Sequence, residues 1–258
     1  MAIPENVAAK LGRTREHLRT VGDSVDAFLR TRPYQVERHV DQGGARQVYR
    51  LNRYDATPLE VALRVGDTVH NLRSSVDHLA VALARAGAAA AKASLSSQEE
   101  DKIQFPVTSM EGRFRDAITR GRLRYVDPAA VEAIRGLQPF RWGLNYVHDQ
   151  LWNISELDNA DKHRWLATSA CFIRWAGMYT PPDVKPEVTF GQGRGLDEIA
   201  VTCMFPSPRP ELDPGLEPQF SVSLDGALPL LKPIPQLLLR YVEYVERHVV
   251  GPLSDQFL

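Results

Sequence analysis

The segment GDTVHNLRSSVDHLA, residues 66–80, decides which fold the sequence predicts. Apolar residues recur through it and on either side at alternating spacings of four and three. Such spacing lines up apolar side chains in one seam along a helix that packs on other helices. We therefore predict a helix over about residues 58–86, with a seam formed by Val65, Val69, Leu72, Val76, Leu79 and Leu83.

The rest of this helix surface carries short polar side chains where a solvated helix would carry Lys and Glu. Asn, Ser, Asp and His are poorer helix formers than those long charged residues. Their concentration favours a face that is covered, either as a polar network or as the wall of a ligand pocket. The residues concerned are Asp67, His70, Asn71, Ser74, Asp77 and His78, with Arg73 on the flank.

Helical spacing is found in three other long segments, residues 4–30, 144–168 and 234–249. Two shorter helices are expected near residues 110–121 and 128–136, the second of which starts at an Asp-Pro pair. The chain is therefore expected to build a helical bundle, with helices from both of its ends.

Strands are predicted in two parts of the chain. Residues 34–54 read as a hairpin, because Gly43 and Gly44 form a turn between aromatic and β-branched residues. After residue 168, apolar and polar residues alternate in the segments ACFIRWAG, EVTFG, EIAVTCMF and QFSVSL. The predicted fold class is α+β, a helical bundle with an N-terminal β-hairpin and a small, mainly antiparallel sheet in the C-terminal half.

We predict a single α+β domain over residues 1–258, because the bundle draws helices from both ends of the sequence. Its helical core comprises about residues 1–30, 58–168 and 233–250, and its β-rich part comprises about residues 169–226.

Composition excludes several classes of protein. The formal net charge of −1 gives no overall attraction to nucleic acid or to an anionic membrane. No apolar run is long enough to span a bilayer, and the first residues lack the apolar core of a signal peptide. Two cysteines do not form a disulfide framework. A cytoplasmic protein without membrane contact is expected, and no cofactor is implied.

A second polar stretch, ELDNADKHRW at residues 156–165, lies in the predicted helix 144–168. Asp161 falls within the apolar arc of that helix, with Arg164 at its edge. An isolated buried carboxylate is very costly, so Asp161 is expected to pair with a cation. We predict that the two polar helices meet and that Asp161 contacts a cationic group of the first, such as Arg73 or His78.

The hexapeptide RSSVDH, from Arg73 to His78, resembles the R-x(4–6)-H signature of HEPN nucleases. The combination of HNLRSSVDHLA with NADKHR is also similar to bacterial proteins of uncharacterised function. The HEPN resemblance implies a metal-independent ribonuclease of toxin or phage-defence type, with RNA as partner and a site usually formed across a homodimer. It implies that His78 is the acid–base group and that Arg73 stabilises the phosphate.

Other residues are candidates for the same site. Asp161 would orient Arg73 or His78, and further catalytic candidates are Asn71, Asp77, Lys162 and His163. Candidate ligand-binding residues are His70, Ser74, Asn159, Arg164, Arg120, Arg122 and Arg124.

The last three arginines belong to GRFRDAITRGRLRY, residues 112–125, where Phe114 and Tyr125 are interleaved with the cations. Arginines can contact phosphates and aromatic rings can stack on bases, so this segment is the predicted RNA track.

Two alternatives remain open. A metal-dependent hydrolase would use His70, Asp77, His78 and His163 as ligands between the helices. A non-catalytic protein that binds a small ligand or a partner would use the polar residues as a structural network. If the network is structural, Asp161→Asn is expected to lower stability by about 1 kcal/mol or more.

Overall fold

The computed structural model describes residues 3–163, 166, 168–177, 180–181, 183–191, 200–224 and 233–254. It confirms the α+β fold class, with helices and a small antiparallel sheet. The chain divides into two compact units, one of residues 1–23, 59–167 and 224–258 and the other of residues 24–58 and 168–223. The single domain expected from sequence stays a prediction.

Helices build the first unit. The bounds are α1 (Glu5–Arg30, whose last seven residues belong to the other unit), α2 (Leu59–Ala90), α3 (Ser97–Glu100), α4 (Glu111–Thr119), α5 (Pro128–Gly136), α6 (Gln150–His163), α7 (Ile234–Tyr244), a π-helical segment (Val245–Val250) and α8 (Gly251–Ser254). Within the part of the chain that the structure describes, no helix combines the length and the hydropathy that a membrane span requires.

The seam of α2 is buried as its spacing predicts. Val65, Val69, Leu72, Val76 and Leu79 are fully buried. Helix α2 packs against α6, so the prediction that the two polar helices meet is confirmed.

Helix α6 begins later than predicted, at Gln150 and not at residue 144. The preceding residues, Pro139–His148, form 3₁₀ turns that contain Gly143 at φ 55°. A new start is set by Asp149, whose carboxylate accepts a hydrogen bond from the Trp152 N–H (2.9 Å). This is the cap that the first turn of a helix needs.

The second unit contains the four-stranded sheet. Its antiparallel strands lie in the order β1 (Tyr34–Asp41), β2 (Arg46–Tyr54), β5 (Ala200–Met204) and β4 (Glu187–Gly191), and β3 (Thr168–Ala176) pairs with β6 (Glu217–Leu224) in a separate two-stranded sheet. The predicted hairpin is confirmed as β1 and β2, with Gly43 and Gly44 at positive φ. Residues 192–199, which include the start of the predicted strand EIAVTCMF, lie outside the described residues.

Candidate functional site

Arg73 and Asp77, one helical turn apart on α2, hold the backbone of Phe105. The Arg73 Nη2 donates to the Phe105 carbonyl (2.8 Å), and the Phe105 N–H donates to Asp77 Oδ1 (2.9 Å). Arg73 Nη1 also lies 3.0 Å from Asp77 Oδ1. Burial raises the pKa of Asp77, while the Arg73 charge and the Phe105 N–H oppose that shift. We call these contacts the Phe105 clamp.

The segment that Phe105 belongs to, residues 104–108, lies outside the helices and strands and is fixed by side chains. The buried amide of Gln138 donates to the Pro106 carbonyl (2.8 Å) and accepts from the Thr108 N–H (3.1 Å). The Gln104 N–H donates to the Arg122 carbonyl (3.1 Å). These bonds hold residues 104–108 beside α2.

The buried carboxylate that joins α6 to α2 is Asp158, and the expectation that Asp161 would play this part is wrong. The Asp158 side chain is only 4% exposed. Its Oδ1 lies 2.9 Å from His70 Nδ1 on α2, and its Oδ2 accepts from Lys162 Nζ (2.6 Å). Asp158 is buried beside Ile154 and Leu157, whereas Asp161, near the end of α6, is half-buried.

Asp161 packs against the backbone of α2 at Gly66. A Cβ on Gly66 would lie 2.3 Å from Asp161 Oδ1, so no larger residue fits there without a shift. Burial raises the pKa of Asp161, as do the charges of Asp158 and Asp67. Within the described residues, Asp161 has no hydrogen-bond donor, and the candidate partner Arg164 lies outside them.

A polar cleft of about 240 Å³ opens between these elements. Helix α6 contributes one face to it, since Ser155, Asn159 and Lys162 follow one another at helical spacing with Asp158 among them. The opposite walls come from the Phe105 clamp, residues 104–108, helix α4 and the turn that follows it: Arg73, Gln104, Phe105, Pro106, Val107, Thr108, Ala117 and Arg122. We call this space the polar cleft.

The cleft brings together four residues that the sequence had singled out in three separate stretches. These are Arg73 from α2, Asn159 and Lys162 from α6, and Arg122. Arg122 donates to the side chain of Gln104, also in the cleft wall.

Other predicted site residues lie elsewhere. His78 Nδ1 is 3.2 Å from the amide nitrogen of Asn6 on α1, and burial together with the Lys10 charge lowers the His78 pKa. Arg73 and His78 therefore contact different neighbours. The Asn71 amide donates to the Asp67 carbonyl (2.9 Å). Ser74 is half-buried and His163 is exposed, and neither lines the cleft.

The arginine-rich segment is only partly available to a ligand. Arg124 pairs with Glu99 (3.0 Å) and lies over the Tyr125 ring at 5.2 Å. Phe114 is 1% exposed and packs against Phe140, so the expected base-stacking role for its ring is wrong.

The metal alternative has no ligand set in the described part of the chain. His70, Asp77 and His78 each have a separate neighbour: Asp158, the Phe105 N–H and Asn6. No group of three or more His, Cys, Asp or Glu side chains within those residues could hold an ion.

Sequence reasoning missed the residues that complete the cleft, above all Ser155, Asp158, Gln104 and Thr108. The spacing of Ser155, Asn159 and Lys162 would have found the α6 face. No protein-family model, curated protein or solved structure that we compared with the chain matches it, so an interpretation of the cleft has to start from its own residues.

Proposed function

We propose that this protein binds a phosphate-bearing ligand in the polar cleft. One observation carries the proposal: Arg122 presents a guanidinium whose partner there is the neutral side chain of Gln104, and within the described residues no carboxylate pairs with it. A planar guanidinium can donate several hydrogen bonds to the oxygens of one phosphate.

The cleft also contains hydrogen-bond donors that have no partner within the described residues. The Lys162 side chain is 50% exposed and uses one N–H for Asp158, so donors of its ammonium group remain. Ser155 and Asn159 have no hydrogen bond from their side chains within the described residues. All three residues lie on the cleft side of α6, where they could donate to the oxygens of one bound phosphate.

Asp158 is the carboxylate in the cleft wall, and its charge is locally compensated. Lys162 and His70 both contact its oxygens. Arg73 is paired with Asp77 in the Phe105 clamp. The positive charge of Arg122 is therefore the uncompensated charge among the described residues that line the cleft. This charge favours an anion over a cation as ligand.

RNA cleavage, which the HEPN resemblance implies, stays a prediction. Arg73 is hydrogen-bonded in the Phe105 clamp and His78 contacts α1, and on one helix the two lie about 140° apart. A phosphate shared by both groups would require a second subunit. Binding of phosphate in the cleft does not depend on this chemistry.

Isothermal titration calorimetry with inorganic phosphate, at fixed ionic strength, tests the proposal. Asn159→Asp adds a negative charge to the cleft with almost no change in shape. At a separation of about 5 Å such a charge costs about 1–3 kcal/mol, so phosphate affinity should fall by roughly 10- to 100-fold. Arg122→Gln should weaken binding in the same direction.

The matched control is Arg115→Gln, because Arg115 is an exposed arginine on α4 that does not line the cleft. It should bind phosphate like the wild type. The proposal is wrong if the wild type does not bind phosphate, or if Asn159→Asp and Arg122→Gln bind it as tightly as the control.

A further inference from the structure

A second cleft, of about 320 Å³, adjoins the polar cleft. It is lined by Arg113, Asp116, Ala117, Arg120 and Arg122. Ala117 and Arg122 line both spaces, so the two clefts share a wall. We call this second space the arginine cleft.

The arginine cleft carries more positive than negative charge. Arg113 and Arg120 are exposed, and within the described residues neither has an ion pair or a side-chain hydrogen bond. Asp116 is the carboxylate among the lining residues. These two arginines and Asp116 recur at spacings of three and four, so the helix and its C-terminal turn direct them to one side.

The lining of the arginine cleft has no aromatic ring. Phe114, in the same helix, is buried against Phe140 and offers no stacking surface. Bases stack most favourably on exposed aromatic rings, and less so on arginine guanidinium groups, whereas phosphate oxygens need only donors and positive charge. The residues present therefore suit phosphates better than bases.

We propose that the natural ligand carries at least two linked phosphate groups, one in the polar cleft and one in the arginine cleft, with Arg122 between them. This inference rests on the proposed binding of phosphate in the polar cleft. Once the first group is bound, the second reaches Arg113 and Arg120 at a high effective concentration, and the two contacts reinforce each other.

Calorimetric titrations with inorganic phosphate, pyrophosphate and tripolyphosphate at one ionic strength test the inference. Tripolyphosphate should bind the wild type at least about 10-fold more tightly than phosphate, because it gains a second set of charged contacts. Arg113→Gln and Arg120→Gln should lose most of this gain and keep the phosphate affinity of the wild type within about 2-fold. Arg115→Gln is again the control and should keep the full gain.

The outcomes separate this inference from the proposed function. If the wild type binds phosphate but tripolyphosphate binds no more tightly, or if the gain survives in Arg113→Gln and Arg120→Gln, the second phosphate position is wrong and the polar cleft stands. If no phosphate species binds, both proposals fail.

A further titration with ADP distinguishes nucleotides from inorganic phosphate chains. ADP should bind no more tightly than pyrophosphate, since no ring lines the arginine cleft. Much tighter binding of ADP would show that a base is recognised and would overturn this account of the ligand.

Discussion

Asp77→Ala should destabilise the protein strongly, because the Asp77 carboxylate has two structural partners. It accepts from the Phe105 N–H (2.9 Å) and lies 3.0 Å from Arg73 Nη1. Loss of an acceptor for a buried N–H costs about 1–3 kcal/mol. Removal of one partner of a fully buried ion pair costs about 3–5 kcal/mol. Arg73 is only 7% exposed but the Asp77 side chain is 29% exposed, so water reduces that cost here. The two costs overlap, so the free energy of unfolding should fall by about 2–4 kcal/mol.

The matched variant is Asp77→Asn, which keeps an oxygen that can accept from the Phe105 N–H. It loses the charge opposite Arg73, but burial raises the pKa of Asp77 and so offsets that attraction. Its loss should therefore be smaller, at most about 1 kcal/mol. Urea denaturation at pH 7, followed by far-ultraviolet circular dichroism, measures both. The reasoning is refuted if Asp77→Ala unfolds within about 1 kcal/mol of the wild type, or if Asp77→Asn is the more damaging change.

Three further predictions concern His78, Asp161 and the cleavage of RNA. Burial and the Lys10 charge lower the pKa of His78 from its usual 6.5. The contribution of neutral His78 to stability is therefore present above pH 6.5 and is lost as pH falls through the folded-state pKa. A proton NMR titration of the His78 ring should give a midpoint below 6.5, and this midpoint should rise in Lys10→Gln. The pKa of Asp161 is raised, so stability is greatest with this group protonated, below its usual 3.8, and is lost as pH rises through the folded-state pKa. Asp161→Asn should therefore not lower the urea midpoint at pH 7, and a clear loss would contradict this sign. If the protein is a HEPN-type ribonuclease, it should cleave RNA in the presence of EDTA, and His78→Ala and Arg73→Ala should not; no cleavage by the wild type, or equal cleavage by all three, would count against it.

The helices and strands were predictable where one periodicity dominates. The seam of α2 repeats at four and three, and its residues Val69, Leu72 and Val76 are fully buried. The start of α6 was not predictable from that kind of pattern, because apolar residues continue through the 3₁₀ turns before Gln150. The capping carboxylate of Asp149 and the positive φ of Gly143 decide the boundary.

The site was predictable in part. Arg73, Asn159 and Lys162 stood out because short polar or charged residues were concentrated on predicted helices, and all three line the polar cleft. Their partners could not be predicted. Phe105, for example, contacts Arg73 through its backbone carbonyl, which every residue type has. A hydrogen bond between distant segments, 32 residues apart here, cannot be derived from local spacing.

The role predicted for Asp161, that of the buried and paired carboxylate, belongs to Asp158 for a similar reason, because its partner His70 is contributed by another segment of the chain. The two carboxylates are three residues apart on one side of α6, so helical spacing alone does not decide which of them is buried and paired. Asp158 is the one that contacts His70 and Lys162, and Asp161 lies beside Gly66. With Asp158 as the buried and paired carboxylate, Asp161→Asn is no longer expected to lower the stability of the protein.

The most direct test of phosphate binding in the polar cleft is a crystal structure of the protein soaked in tungstate. Tungstate is an electron-rich oxyanion that can be located without ambiguity by anomalous scattering. The account predicts tungstate in the polar cleft, within hydrogen-bonding distance of Arg122 and Lys162. An empty cleft in crystals that bind tungstate elsewhere would contradict it.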